Sequence, residues 1–284
     1  MASNEQDSTG ISPTAYYTAA VWHQYGLSVP FLAPARGKFL YRAAQPIEWL
    51  AKLALGGNNI TLLLQRHHII DAVLERAIKE EGFTQIVEIA CGLSPRGTIM
   101  ARRYSQLSYI EADLPQMAAH KRRCLQKAGE LSQRHRVIDI DILTQEGDHS
   151  LEAVFARELD PTKKTLVITE GLINYFELTT ISGFWQRLAQ QLKRFPAGIY
   201  VSDLYPDFRW HRSVILVHAF KAALSRFTRS HVSLHFESEQ AIKVGFQSLG
   251  FAKTTVHLPE SYYGVLDIPI MRSPSLVRVI ENRV

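Results

Sequence analysis

Residues 87–97, Val-Glu-Ile-Ala-Cys-Gly-Leu-Ser-Pro-Arg-Gly, contain the residue types from which a nucleotide-binding turn is built. A dinucleotide fingerprint needs three glycines spaced G-x-G-x-x-G, so that the backbone can approach a pyrophosphate at a helix N-terminus. Ala90, Gly92 and Pro95 occupy these positions. The loss of two glycines argues against NAD or FAD. A nucleoside without phosphate, such as S-adenosylmethionine, needs close approach at fewer places, and Gly92 alone can supply it. The alternative is that Gly92 only makes a strand-to-helix turn.

The histidines and cysteines do not have the spacing of a metal site. His67 and His68 are adjacent on a predicted helix and diverge by about 100°. His231 and His235 lie four residues apart without a nearby third ligand. The two cysteines provide neither a C-x-x-C motif nor a disulfide framework. The sequence therefore predicts no metal.

Alternating strand and helix patterns must position the 87–97 turn. Helical periodicity covers residues 12–24, 38–55 and 60–81, before the first strand. Short runs rich in Ile, Val, Leu and Tyr then alternate with helix-length segments, which is typical of a parallel sheet covered on both faces. The last two strand patterns have no full helix between them, which predicts an antiparallel end. The predicted strands are residues 85–91, 107–113, 136–143, 165–170, 198–204, 251–258 and 276–281.

Composition and charge narrow the class of protein. The chain has 284 residues, of which 46% are hydrophobic and 21% charged, as expected for a globular chain. Its net charge of +5 is scattered and argues only weakly for nucleic acid or an anionic membrane. Residues 1–12 lack the features of a secretory signal, and the apolar stretch 214–224 is too short to span a membrane. We therefore expect a cytoplasmic protein without a membrane partner.

Four segments resemble the leucine carboxyl methyltransferase family, which includes O-methyltransferases of polyketide pathways. They are Arg-His-His-Ile-Ile-Asp at 66–71, the segment 87–96, Tyr-Ile-Glu-Ala-Asp-Leu-Pro at 109–115 followed by Lys121, and Thr-Glu-Gly-Leu-Ile-Asn-Tyr at 169–175. The resemblance implies a Rossmann-like class I methyltransferase fold with S-adenosylmethionine as cofactor. The usual Gly-Ala-Gly turn of the family is Ala90-Cys91-Gly92 here, and residues after 204 match poorly.

The resemblance also implies roles at the ends of the second and third strands. Asp113 is at the position that holds the ribose hydroxyls, with Glu111 two residues earlier on the same strand face. The alternative is that either acid simply caps the next helix. Asp141 and Ile142 match an Asp-Leu pair that contacts the adenine, with Asp139 as the competing acid.

Further cofactor contacts are expected around the first and fourth strands. Arg66 resembles the arginine that binds the methionyl carboxylate, although a helix arginine can also face solvent. Glu170, at the end of the fourth strand, would balance the positive charge of the sulfonium and amino groups. Its alternative is a solvated acid at a strand end. Glu88 and Ala90, within the matched turn, complete the predicted set of cofactor-binding residues.

These observations predict a single methyltransferase domain. It comprises N-terminal helices (1–82), a cofactor-binding core (83–206), a helical cover (207–236) and the end of the sheet (237–284). We expect direct methyl transfer to a carboxylate or hydroxyl of a small molecule. His211 and His218 in the cover are candidate bases for a hydroxyl acceptor. The alternatives are an RNA methyltransferase and a degenerate cofactor-binding interaction protein.

Overall fold

One seven-stranded sheet organises the fold. The computed structural model describes residues 13–207 and 233–284. The sheet has the order β3-β2-β1-β4-β5-β7-β6, in which β1 to β5 are parallel and β7 is antiparallel to both of its neighbours. The predicted fold class is thereby confirmed. The strands are β1 (Gln85–Ile89), β2 (Ser108–Asp113), β3 (His135–Asp139), β4 (Thr165–Thr169), β5 (Gly198–Leu204), β6 (Lys253–His257) and β7 (Arg278–Arg283).

Helices cover both faces of the sheet and precede it at the N-terminal end. Three of them come before β1, as the sequence predicts, and the others mostly connect successive strands. The helices are α1 (Pro13–Gln24), α2 (Ala35–Leu55), α3 (Asn59–Lys79), α4 (Arg96–Arg103), α5 (Pro115–Lys127), α6 (Leu151–Glu158), α7 (Leu178–Leu192) and α8 (Glu239–Ser248). Short 3-10 turns lie at Pro30–Leu32, Ile173–Tyr175 and Pro259–Tyr262. Among the described helices, none is long and apolar enough to cross a bilayer.

Burial on both faces explains why the central strands are almost continuously apolar. On one face, Val87 and Val167 pack with residues of α6, α7 and α8. On the other, Ile86 and Leu166 pack with α3. The strand order reverses between β1 and β4. The chain leaves β1 towards β2 on one side of the sheet and leaves β4 towards β5 on the other. A crevice for a ligand forms at the carboxyl ends of the strands at such a point.

Two predicted strands end at least two residues earlier than their sequence patterns indicate. The first stops at Ile89 because Ala90 has a left-handed backbone, with φ +54°. The third stops at Asp139, not at residue 143. The carboxylate of Asp141 there accepts hydrogen bonds from the Leu143 amide and the Thr144 hydroxyl, both at 2.9 Å, which turns the chain. Asp141 and Ile142 therefore follow the strand instead of ending it.

Replacing Ala90 by glycine should stabilise the protein. A left-handed conformation costs an alanine about 1–2 kcal/mol, whereas glycine adopts it freely. We expect Ala90→Gly to raise the free energy of unfolding by about 1 kcal/mol, measured by denaturant titration. Ala128→Gly is the matched control, because Ala128 has an ordinary φ of −88° and should lose stability. An Ala90→Gly variant that loses as much stability as the control would contradict the prediction.

Candidate functional site

The turn between β1 and α4 forms a hydrogen-bonded cradle with the end of β2. The Cys91 amide donates to the Ala112 carbonyl at 3.2 Å. The Gly92 amide donates to Oδ2 of Asp113 at 2.7 Å, and the Leu114 amide donates to Oδ1 at 2.8 Å. Helix α5 begins after Leu114 without a side-chain cap, so Asp113 is not the helix cap considered above. Its carboxylate instead links the turn after β1 to the turn after β2.

Gly92 is required here chiefly for its backbone conformation. Its φ is +47°, which strains any residue with a side chain. A Cβ at this position would meet only the Cβ of Ala15, at 3.6 Å, within the described part of the chain. The start of α1 therefore lies against the turn, and no other described residue comes within 4 Å of that Cβ position.

The end of β3 brings a second acid beside Asp113. Asp139 is the register partner of Asp113 in the sheet. Its carboxylate accepts a hydrogen bond from Nη2 of Arg122 at 2.9 Å. Asp141 lies two residues further on, with its carboxylate holding its own turn, and Ile142 is buried in the core.

Arg96, in the first turn of α4, is fully buried and is bound by three carboxylates. Its Nε donates to Oδ1 of Asp71 at 2.5 Å, Nη1 to Oε1 of Glu88 at 2.6 Å and Nη2 to Oε2 of Glu170 at 2.6 Å. Burial alone would lower the pKa of Arg96, but the nearby carboxylates raise it well above its ordinary value. Arg96 is therefore a permanent cation beneath the turn.

Arg66 connects the ends of β4 and β5. Its Nε donates to Oε1 of Glu170 and its Nη1 to Oδ2 of Asp203, both at 3.0 Å. The Gly171 amide donates to the other oxygen of Asp203 at 2.6 Å. The side chain of Arg66 is 8% exposed, so it is not the solvent-facing helix arginine considered above.

His67 completes this charge network and was not predicted to belong to it. Its Nδ1 lies 3.0 Å from Oε2 of Glu170, and its ring centroid lies 4.9 Å from that of Trp22 on α1. Burial favours a raised pKa for Glu170, but His67, Arg96 and Arg66 hold it well below its usual range. Glu170 is thus a buried, ionised acid and not a solvated strand end.

Carboxylates outnumber cations in the network. Four acids, Asp71, Glu88, Glu170 and Asp203, surround two guanidiniums and one imidazole. The four acids therefore exceed the three basic side chains by one. Burial, together with the neighbouring Glu170, raises the pKa of Asp203 despite the opposing effect of Arg66. A further cation placed here would relieve this repulsion.

Glu88 and Glu111 lie beneath the cradle, with their carboxylates bound by protein groups. Glu88 also accepts a hydrogen bond from the Tyr109 hydroxyl at 2.8 Å. Glu111 is fully buried, 2.8 Å from Nζ of Lys121 and 3.3 Å from Nε2 of His135. A Cβ at Gly97 would collide with the Glu111 carboxylate, so α4 can approach β2 closely only with glycine there.

Asn174 joins the two described segments that flank residues 208–232. Its side-chain oxygen accepts from the Tyr205 amide at 3.0 Å, and its side-chain nitrogen donates to the Ser233 carbonyl at 2.6 Å. The candidate bases His211 and His218 lie outside the described residues.

Sequence reasoning missed Arg96 and Asp203 as members of the site, although each carried a local signal. Arg96 is a cation in the first turn of a helix, where the helix dipole disfavours positive charge. Asp203 is an acid inside an otherwise apolar strand pattern, where an ionised residue needs a partner. Within residues 13–207 and 233–284, no cluster of His, Cys, Asp and Glu could hold a metal ion.

Solved structures of methyltransferases share this fold. A putative methyltransferase from Thermobifida fusca YX has 12% identity and a TM-score of 0.61, with 96% of this chain and 94% of that chain covered. An O-methyltransferase family protein from Burkholderia thailandensis has 15% identity and a TM-score of 0.52, with 95% and 71% covered. PigF, solved with SAH, has 16% identity and a TM-score of 0.50. The match covers 76% of this chain and only 54% of PigF. At these identities the likeness shows the fold alone.

Sequence comparison identifies the family. No curated protein matches the chain. The family described as leucine carboxyl methyltransferase, however, matches residues 30–188, which is more than half of the 284 residues. That range includes the cradle, Arg66, Arg96 and Glu170, and it confirms the predicted enzyme class, a methyltransferase. The chain belongs to the leucine carboxyl methyltransferase family.

Proposed function

We propose that this protein transfers a methyl group from S-adenosylmethionine to an oxygen atom of a small molecule. Membership of the family supports methyl transfer and this cofactor. The observation that carries the proposal is the excess of carboxylates over basic side chains in the network beside the Gly92 cradle. S-adenosylmethionine, when bound, supplies a cationic sulfonium with an electrophilic methyl group. A site in which acids outnumber basic side chains, next to the Gly92 cradle, suits such a ligand.

The adenosyl end of the cofactor is assigned to the cradle. Asp113 is held by two backbone amides, and its remaining lone pairs can accept hydrogen bonds from two ribose hydroxyls. Asp141, fixed by its own turn, is the proposed acceptor for the adenine amino group, and Ile142 provides apolar surface. Ala90 and Gly92 shape the backbone. Glu88 and Glu111 contribute from beneath, by holding α4 and β2 in place.

The methionyl end is assigned to the charge network. Glu170 balances positive charge, and Arg66 binds the carboxylate. The Arg66 guanidinium has five N–H donors. It donates to Glu170 and Asp203 and lies next to the Tyr205 hydroxyl, so further donors are available for a ligand. Its existing partners hold the guanidinium in one orientation, which lowers the entropy lost on binding a carboxylate.

The transfer itself requires little covalent chemistry from the protein. A carboxylate acceptor is already a nucleophile, whereas a hydroxyl acceptor benefits from a base that takes its proton. The role of the chain is then to hold the acceptor oxygen in line with the methyl group and to exclude water. His211 and His218 remain the proposed bases for a hydroxyl acceptor.

Methyl transfer from labelled S-adenosylmethionine to panels of aliphatic and aromatic acids and alcohols tests this function. We expect label in at least one small molecule and none in RNA. Mild alkali distinguishes the acceptors, because it releases methanol from carboxyl methyl esters and not from methyl ethers. Binding of S-adenosylmethionine without transfer to any acceptor would instead favour the interaction protein.

Asp113→Asn should weaken binding of every ligand that carries the ribose hydroxyls. The loss of charged hydrogen bonds should cost about 1.5–3 kcal/mol of binding free energy, measured by calorimetry. The variant should also lose the ability to discriminate adenosine from 2′,3′-dideoxyadenosine. Its stability should fall as well, because Asp113 holds the Gly92 amide.

Asp139→Asn is the matched control for Asp113. Asp139 is the neighbouring acid in the sheet and is paired with Arg122. The control should bind S-adenosylmethionine within about twofold of the parent. A control that loses as much affinity as Asp113→Asn, and also loses the discrimination against 2′,3′-dideoxyadenosine, would assign the ribose to Asp139.

Arg66→Lys should weaken only ligands that carry the methionyl carboxylate. An ammonium keeps the charge that Glu170 and Asp203 require but loses the guanidinium fork. We expect roughly tenfold weaker binding of S-adenosylmethionine and S-adenosylhomocysteine, with unchanged binding of adenosine and methylthioadenosine, by calorimetry. Equal weakening of adenosine would show that Arg66 only supports the pocket.

A further inference from the structure

Helix α2 presents an apolar face that no described residue covers. Five large apolar side chains of this helix are exposed, including Phe39 at 71%, Trp49 at 65% and Leu53 at 65%. The other two are Ile47 and Leu50. Scattered exposed apolar residues are ordinary, but five on one helix form a contiguous patch of the kind that marks an interaction surface.

The spacing of these residues gives α2 two distinct faces. Positions 39, 43, 46, 50 and 53 follow one another at intervals of three and four, so they line one side of the helix. Ile47 and Trp49 flank that line. The opposite side packs into the protein through Leu40, Tyr41 and Ala44, which contact a cluster on α1 and α3. The helix is therefore anchored by one apolar face while a second faces outwards.

The exposed charges on α2 are all basic. Arg36, Lys38, Arg42 and Lys52 are exposed around the outer face. The only acid of the helix, Glu48, is buried and accepts a hydrogen bond from the Tyr17 hydroxyl at 2.7 Å. An apolar stripe with Trp at its margin and a basic rim is the pattern of a helix that lies in a membrane interface.

The loop after residue 269 lies beside the C-terminal end of α2. A Cβ at Gly56 would contact Arg272, and one at Gly57 would contact Met271, so this loop lies directly beside the helix C-terminus. Ile270 is 68% exposed, and Arg272 is exposed as well. The loop thus brings one exposed apolar and one exposed basic residue close to the C-terminal end of the helix.

We propose that α2 and residues 270–272 dock the protein on the surface of an anionic lipid bilayer. The basic rim complements anionic headgroups, whereas a second copy of the chain would place one basic rim against another. The expectation of no membrane partner rested on the lack of a spanning segment, which a helix lying in the interface does not need. The docking surface is independent of the proposed methyl acceptor.

Flotation of the full chain with vesicles tests the proposal. We expect binding to phosphatidylglycerol–phosphatidylcholine vesicles, weaker binding at high salt, and none to pure phosphatidylcholine. Leu50→Glu should weaken binding at least tenfold, because it removes an exposed apolar side chain that would enter the bilayer and adds a charge that anionic headgroups repel. Arg42→Gln should weaken it roughly fivefold. Val244→Glu is the control and should bind like the parent, because Val244 is an exposed apolar residue on α8, at the other face of the sheet.

Three results would overturn the proposal. Equal binding of Leu50→Glu and the parent would show that α2 does not contact the vesicle. A dimer in sedimentation equilibrium that Leu50→Glu dissociates would assign the patch to a second copy. A fall of several degrees in the melting temperature of Leu50→Glu would show that another part of this chain covers the patch, since substitutions at solvent-facing positions change stability little.

Discussion

The site depends on the ion pairs that the buried carboxylate of Glu170 makes with Arg66 and Arg96. One of its oxygens accepts from Arg66, and the other contacts Arg96 and His67. Removing these charges from water costs several kcal/mol for each ion, and the cost is offset only when every partner is in place. The network therefore specifies how α3 and α4 dock against the ends of the strands. A shift of either helix would leave an ionised group buried without its partner.

The same arrangement has a chemical consequence. Acids outnumber basic side chains in the network, which lies at the point where the strand order reverses. The folded protein already holds the carboxylates close together, so a cation can bind without reorganising the protein. The left-handed backbone at Ala90 adds local strain beside the network, and strained backbone is common at ligand sites.

The three N-terminal helices connect the site to the surface. Helix α3 supplies Arg66 and His67 to the charge network, and the start of α1 lies against the Gly92 turn. The inner side of α2 packs on α1 and α3. A ligand in the cradle and a lipid surface on the outer side of α2 would therefore contact neighbouring parts of one helical layer.

The sequence by itself determined the features that depend on local pattern. Strand and helix alternation predicted the parallel sheet, because burial and periodicity act over a few residues. The segment around Gly92 predicted the turn, and the order of matched segments predicted the family. The pattern does not determine the strand boundaries: the third strand ends at Asp139, because the carboxylate of Asp141 makes a local turn that the hydrophobic pattern does not record.

Only the tertiary structure decided which charges meet. Arg66 pairs with acids 104 and 137 residues away, at Glu170 and Asp203, and not with those on its own helix. Glu111 was expected beside Asp113 at the cofactor, but it lies buried against Lys121 and His135. Such pairs form because desolvated charges need partners from any element that packs nearby. Sequence spacing carries no record of that packing, so residue type and strand position alone could not separate the acid that faces the cradle from the acid beneath it.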